Sequence, residues 1–141
     1  MRILAMDLGT KSLGLAISDK TNTLATPLDT IHFSFEDYES LIPKIEEIIK
    51  EKEIDTLVLG LPKNMDNSLG FASERSLNFK KLLDSKLGFN TILVDERLTT
   101  IEAENILINN DMRRDKRKKV IDSVAAMLIL ESYLKGVSNN E

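Results

Sequence analysis

The sequence predicts an α/β domain whose mixed, five-stranded sheet opens with an antiparallel hairpin, continues with parallel strands and is flanked by helices. Three observations predict it. The chain begins with an apolar run, Ile3, Leu4, Ala5 and Met6, then turns at Gly9, Thr10 and Lys11 and alternates with a period of two from Ser12 to Asp19, the pattern of two strands joined as a hairpin. Two later runs, Leu57-Val58-Leu59 and Ile92-Leu93-Val94, are continuously apolar, as buried parallel strands are. Stretches of helical period separate and follow them. At 141 residues the chain forms one domain, residues 1–141, large enough for a real core.

Each element has its own warrant. In the second strand Leu13, Leu15 and Ile17 share one face while Gly14, Ala16 and Ser18 leave the other nearly bare, for close packing or for the approach of a phosphate. Thr23 to Phe33 is expected as a third strand, at an edge because Pro27 cannot donate to a ladder; His32, the only histidine, is expected there as a half-exposed strand residue. Leu41, Ile45, Ile48 and Ile49 mark an amphipathic helix within Asp37–Lys52, and Pro43 is tolerable only near its first turn. Ala72 to Leu87 returns to helical period and stops at Gly88, a C-cap residue. Thr99 and Glu102 stand at capping-box spacing before a helix through Ile106 and Leu107. Val120 onward reads as a final helix, and Val137–Glu141 as a disordered tail.

The net charge of −4 conceals an asymmetry. Arg113, Arg114, Lys116, Arg117, Lys118 and Lys119 against Asp115 carry +5, which leaves −9 for the remainder, so any contact with a polyanion is local. The absence of cysteine excludes disulfides, thiolate nucleophiles and thiolate metal sites. No apolar stretch approaches the length of a membrane span, and a soluble, cytoplasmic protein without membrane association is expected.

Three carboxylates occupy unexpectedly apolar settings: Asp7 in the first strand, Glu96 just after the last and Asp122 in the final helix. Each has a plain explanation. Asp7 could cap the Gly9 turn, Glu96 could pair with Arg97, and Asp122 could face solvent or pair with Lys118 or Lys119. Their conjunction suggests more. If the first, fourth and fifth strands lie side by side and parallel, Asp7 and Glu96 emerge at one sheet edge, and a terminal helix laid across it brings Asp122 to them. Three converging acids repel one another unless a divalent cation with oxygen ligands, Mg²⁺ or Mn²⁺, neutralises them. Such a site suits phosphate chemistry, because bound metal generates a nucleophilic water near neutral pH.

The stretches DLGTKSLGLA, GLPKNMD, DERLTT and KKVIDSVAAMLIL resemble, in order, the four motifs of the YqgF family, also called RuvX or Holliday junction resolvase-like proteins. The resemblance implies an RNase H-like fold and a metal-dependent nuclease acting in ribosome biogenesis, at the 5′ end of pre-16S ribosomal RNA, with resolution of four-way DNA junctions as the alternative. Carried over by position, the family's acids fall on Asp7, Glu96 and Asp122, the set already singled out. The second motif departs from the family, which commonly has glycine where this chain has Asn67. Asparagine tolerates a left-handed backbone best after glycine.

Lys11, Lys63 and Arg97 adjoin the expected cleft and are candidates to hold phosphates. The run from Arg113 to Lys119 is expected to be either a mobile arm gripping nucleic-acid backbone or a solvated loop. Aromatic residues make up only 5% of the chain, which favours backbone and shape recognition over base stacking, and therefore structured RNA or branched DNA as partner. Two other classes compete. DLGTKS also resembles the first phosphate loop of the actin, Hsp70 and sugar-kinase ATPases, which need a second lobe; and a nuclease-like domain could bind nucleic acid without cutting it, although a scaffold has no need of mutually repelling acids. A homodimer is left open.

Overall fold

The computed structural model describes residues 2–62, 70–95 and 114–139, with side chains over 2–62, 70–95 and 124–136. Five strands form one sheet: β1 (Arg2–Leu8), β2 (Ser12–Ser18), β3 (Ala25–His32), β4 (Ile54–Leu61) and β5 (Ile92–Asp95). Their spatial order is β3-β2-β1-β4-β5. β1, β2 and β3 pair antiparallel, whereas β4 runs parallel to both β1 and β5, the mixture expected from the hairpin and the two continuous apolar runs. β3 is the edge strand that Pro27 requires, although shorter than expected, and His32 lies exposed at its end.

Alternation along β1 creates two cores. Leu4, Met6 and Leu8 join Leu13, Leu15 and Ile17 of β2 and Leu57 and Leu59 of β4 on one face. That face is covered by α1 (Leu41–Lys52) and α2 (Phe71–Leu87), through Leu41, Ile45, Phe79 and Leu83. Burying each of these large side chains contributes about 1.5–3 kcal/mol relative to exposure. A 3₁₀ turn over Tyr38–Ser40 precedes α1 and leaves Pro43 within its first turn. α2 ends at Gly88, whose φ of 73° is left-handed.

On the opposite face Ile3, Ala5, Ala16 and Val58 pack beneath Ala126, Ile129 and Leu130 of α3 (Arg114–Asn139). Small residues here have a steric reason: the bare face of Gly14 and Ala16 admits a helix close to the sheet. Ser18, the polar member of that face, is satisfied, because its Oγ accepts from the Ile3 N–H at 2.8 Å and donates to Asn22 Oδ1 at 2.7 Å.

Two expectations at the ends of α3 are corrected. Arg114, Lys116, Arg117, Lys118 and Lys119 are helical, neither arm nor loop, since Lys and Arg are good helix formers and no Pro or Gly interrupts them. The helix also continues through Val137 to Asn139, the first part of the expected disordered tail, while Asn140 and Glu141 lie outside the described residues. Arg113, the Asn67 loop and the helix expected after Thr99 lie outside the described residues.

Candidate active site

Asp7 is the sixth residue of β1 and, by alternation with Ile3 and Ala5, belongs to the face covered by α3. Its partner across β2 is Gly14. On the other side Met6 aligns with Leu59, so the next position brings Asp7 level with Gly60, which in turn aligns with Val94 of β5. A half-buried carboxylate therefore sits between two glycines on the same face. Neither neighbour has a side chain beside it.

A tight turn follows. The Gly9 N–H donates to the Ser12 carbonyl at 2.8 Å, and a Cβ at Gly9 would come within 3.3 Å of that oxygen, so any larger residue would need the turn to give slightly. The turn exposes Lys11 at the same end of the sheet as Asp7. It is braced from the loop after β3: the N–H groups of Phe33 and Glu36 donate to the carbonyls of Lys11 and Thr10, at 2.9 and 3.0 Å. Beyond the carboxyl end of β4, the Ser73 hydroxyl of α2 donates to the Pro62 carbonyl and holds the start of that helix against the strand end.

β5 ends level with β4, Asp95 opposite Leu61. Glu96, the next residue, lies outside the described residues, as do Lys63, Arg97 and Arg113. Asp122 lies on the described backbone of α3, four residues and hence one turn before Ala126; its side chain is outside the description. The direction of α3 is fixed at its other end. Glu131, Leu134 and Lys135 share a cavity of about 390 Å³ with Asn22 to Ala25, next to the turn between β2 and β3 at the amino end of β1. The helix thus runs against β1, its amino-terminal half toward the end that holds Asp7. Among the described residues no three His, Cys, Asp or Glu side chains gather as a metal site, and of the three predicted acids Asp7 alone has a described side chain.

Away from this end the electrostatics are those of structural turns. Asp19, at the turn between β2 and β3, accepts from the Thr23 N–H at 2.8 Å, the Thr21 hydroxyl at 2.8 Å and the Leu24 N–H at 3.2 Å, which lower its pKa from 3.8 to about 2. Burial would raise Asp84, but hydrogen bonds from Lys80 and from the Thr91 hydroxyl and N–H outweigh it and hold that carboxyl below its usual range. The loop from Phe33 to Glu39 carries no motif, and its signal in the sequence is the interleaving of Phe33, Phe35 and Tyr38 with Glu36, Asp37 and Glu39.

Comparison with known proteins agrees with this architecture. A family model described as "RuvX: Holliday junction resolvase" matches residues 1–136. A protein of Geobacillus sp. (strain WCH70) named "Putative pre-16S rRNA nuclease" is 48% identical over 134 residues, covering 95% of this chain and 97% of its own. One of the same name from Bacillus subtilis (strain 168) is 44% identical over 138 residues, covering 98% and 100%. Among solved structures, T. thermophilus RuvC in complex with a Holliday junction substrate superposes with a TM-score of 0.60 at 12% identity over 98% of this chain and 96% of that one. The fowlpox virus Holliday junction resolvase gives 0.57 at 19% over 96% and 99%. At such identities the likeness speaks for the fold, which is RNase H-like. With the family model spanning almost the whole sequence and relatives of this identity along its full length, the chain belongs to the RuvX family.

Proposed function

We propose that the chain is a metal-dependent nuclease that hydrolyses phosphodiester bonds in structured nucleic acid, with the 5′ end of pre-16S ribosomal RNA as its substrate. The observation that carries the reading is the placement of Asp7 between Gly14 and Gly60, beneath the helix that contains Asp122. Ala5 and Ala126 belong to one buried cluster. Two strand residues advance about 6.6 Å and four helical residues about 6 Å, so positions 7 and 122 reach similar heights above that cluster. Glu96 joins them if the alternation of β5 carries on one residue past Asp95, to the side of Ile92 and Val94.

The donor set suits a hard divalent cation. Asp7 offers carboxylate oxygen in a cysteine-free chain, and Mg²⁺ or Mn²⁺ prefers such ligands. Asp7, Glu96 and Asp122 would hold it, and when bound it lowers the pKa of water and neutralises charge on the phosphate. Around it, Lys11 at the hairpin turn, with Lys63 and Arg97, binds flanking phosphates. The basic start of α3, through Arg114, Lys116, Arg117, Lys118 and Lys119, together with Arg113, extends that contact along the backbone of the substrate.

The test compares wild type with Asp7→Asn on pre-16S RNA and on a four-way DNA junction, with Mg²⁺, Mn²⁺ or chelator. Asp7→Asn is expected to slow RNA cleavage by about a hundredfold or more while leaving binding intact, and chelator is expected to abolish it. Full-rate cleavage by the variant would remove Asp7 from the chemistry. Cleavage of the junction in preference to RNA would transfer the substrate to DNA.

A further inference from the structure

A second surface lies on the α1/α2 face, where the loop after β3 crosses α2. Tyr38, Phe79 and Leu82 line a groove of about 330 Å³, and Glu36, Asp37 and Glu39 stand along its loop side. Tyr38 packs edge-on to Phe33 with ring centroids 5.7 Å apart and at a tilt to Phe79 at 6.2 Å, so the apolar lining is preformed. Phe35, adjacent in the chain to Glu36, is 60% exposed. Arg75, one turn before Phe79 on the same helical row, forms no ion pair with these acids; the ion pairs among the described residues are Lys50–Glu46 and Lys80–Asp84. Three carboxylates within four residues of chain are thus left without a cation.

The charge rejects a phosphate backbone and favours the opposite sign. It also lies apart from the basic start of α3, so a polyanion and a polycation could be held at once. We infer that this groove is a docking site for a basic protein segment, an apolar side chain entering between Tyr38, Phe79 and Leu82 while flanking Lys or Arg residues meet Glu36, Asp37 and Glu39. Aromatic anchors in a pocket with charged rims are how short segments are usually held. The inference does not depend on the nuclease reading. Because Phe33 and Glu36 brace the turn at Thr10 and Lys11, an occupant of the groove also stiffens the end of the sheet that carries Asp7.

The probe is a fluorescent peptide of alternating Lys and Arg around one central Phe, titrated with the full chain at low salt and followed by anisotropy. Binding is expected, and it should weaken about tenfold in the triple variant Glu36→Gln, Asp37→Asn, Glu39→Gln, because three rim pairs are lost. It should weaken again when the peptide's Phe is replaced by Ser. Circular dichroism and urea unfolding verify that the variant is folded; the single variant Phe35→Ser, at a largely exposed position, is the fallback and should also reduce binding. Equal binding by the neutralised chain, or by the peptide lacking Phe, overturns the proposal. So does displacement of the peptide by structured RNA with the groove protected, or sedimentation showing a dimer of this chain that the triple variant dissolves, since each assigns the surface to another occupant.

Discussion

Replacing Ala126 by leucine asks whether the seating of α3 sets the chemistry proposed at Asp7. Ala126 is fully buried against a cluster that includes Ala5 and Ala16, both also 0% exposed, so three added carbons find no space. Overpacking of this kind costs about 1–3 kcal/mol. The sheet is a hydrogen-bonded ladder and yields less than a helix resting on it, so the strain is relieved by outward movement of α3. A displacement of about 1 Å at a reacting group is worth about a hundredfold in rate, and position 122 is one turn from the substitution. Urea unfolding measures the stability, and single-turnover cleavage in buffer, where both proteins remain folded, measures the chemistry. Leu130→Ala supplies the contrast: it opens a cavity costing about 2–5 kcal/mol but inserts nothing under the helix, and it acts a turn farther from Asp122. The reasoning fails if Ala126→Leu loses at least about 1 kcal/mol yet cleaves at the wild-type rate, or if Leu130→Ala slows cleavage more.

Asp19 is held at about 2 by its turn, so its contribution to stability is complete above the ordinary carboxylate value and disappears as pH falls through about 2; Asp19→Asn should flatten the acid limb of a pH-dependent unfolding curve without changing cleavage. Asp84→Ala should destabilise by about 1–3 kcal/mol, because Thr91 at the entry to β5 loses its acceptor and Lys80 its partner, an effect readable by urea titration and smaller at low pH. Reversing charge at Arg114, Lys116 and Arg117 should flatten the plot of log affinity against log salt for structured RNA by about one per lost phosphate contact; an unchanged slope would take the start of α3 out of the binding surface.

Much of the fold is legible because the local signals agree with one another. The period of two over Ser12–Ser18 and the turn at Gly9 specify the hairpin, Pro27 puts β3 at an edge, the unbroken Leu57-Val58-Leu59 run belongs to a strand flanked on both sides, and Gly88 ends α2. The basic run hides its helix for a physical reason. Positive charge erases the apolar stripe by which a helix is recognised, yet Lys and Arg have high helical propensity, and only the continuation into Val120–Leu130 shows that one helix includes them all. At the site, Asp7 was legible as an anomaly within an apolar run. Gly60 as its second neighbour was not, because it depends on the register between β1 and β4, a long-range property absent from either segment alone. The acidic groove was equally hidden, since Tyr38 and Phe79 meet only through the tertiary fold.

The turn around Asp19 has a practical use. It closes on its own side chains and leaves Lys20 exposed, at the end of the sheet away from the carboxyl end of β1. Since the chain contains no cysteine, Lys20→Cys creates a solitary thiol for a dye or spin label. Distances from that beacon to labelled RNA would then chart how the molecule sits on its substrate, with the chemistry left undisturbed.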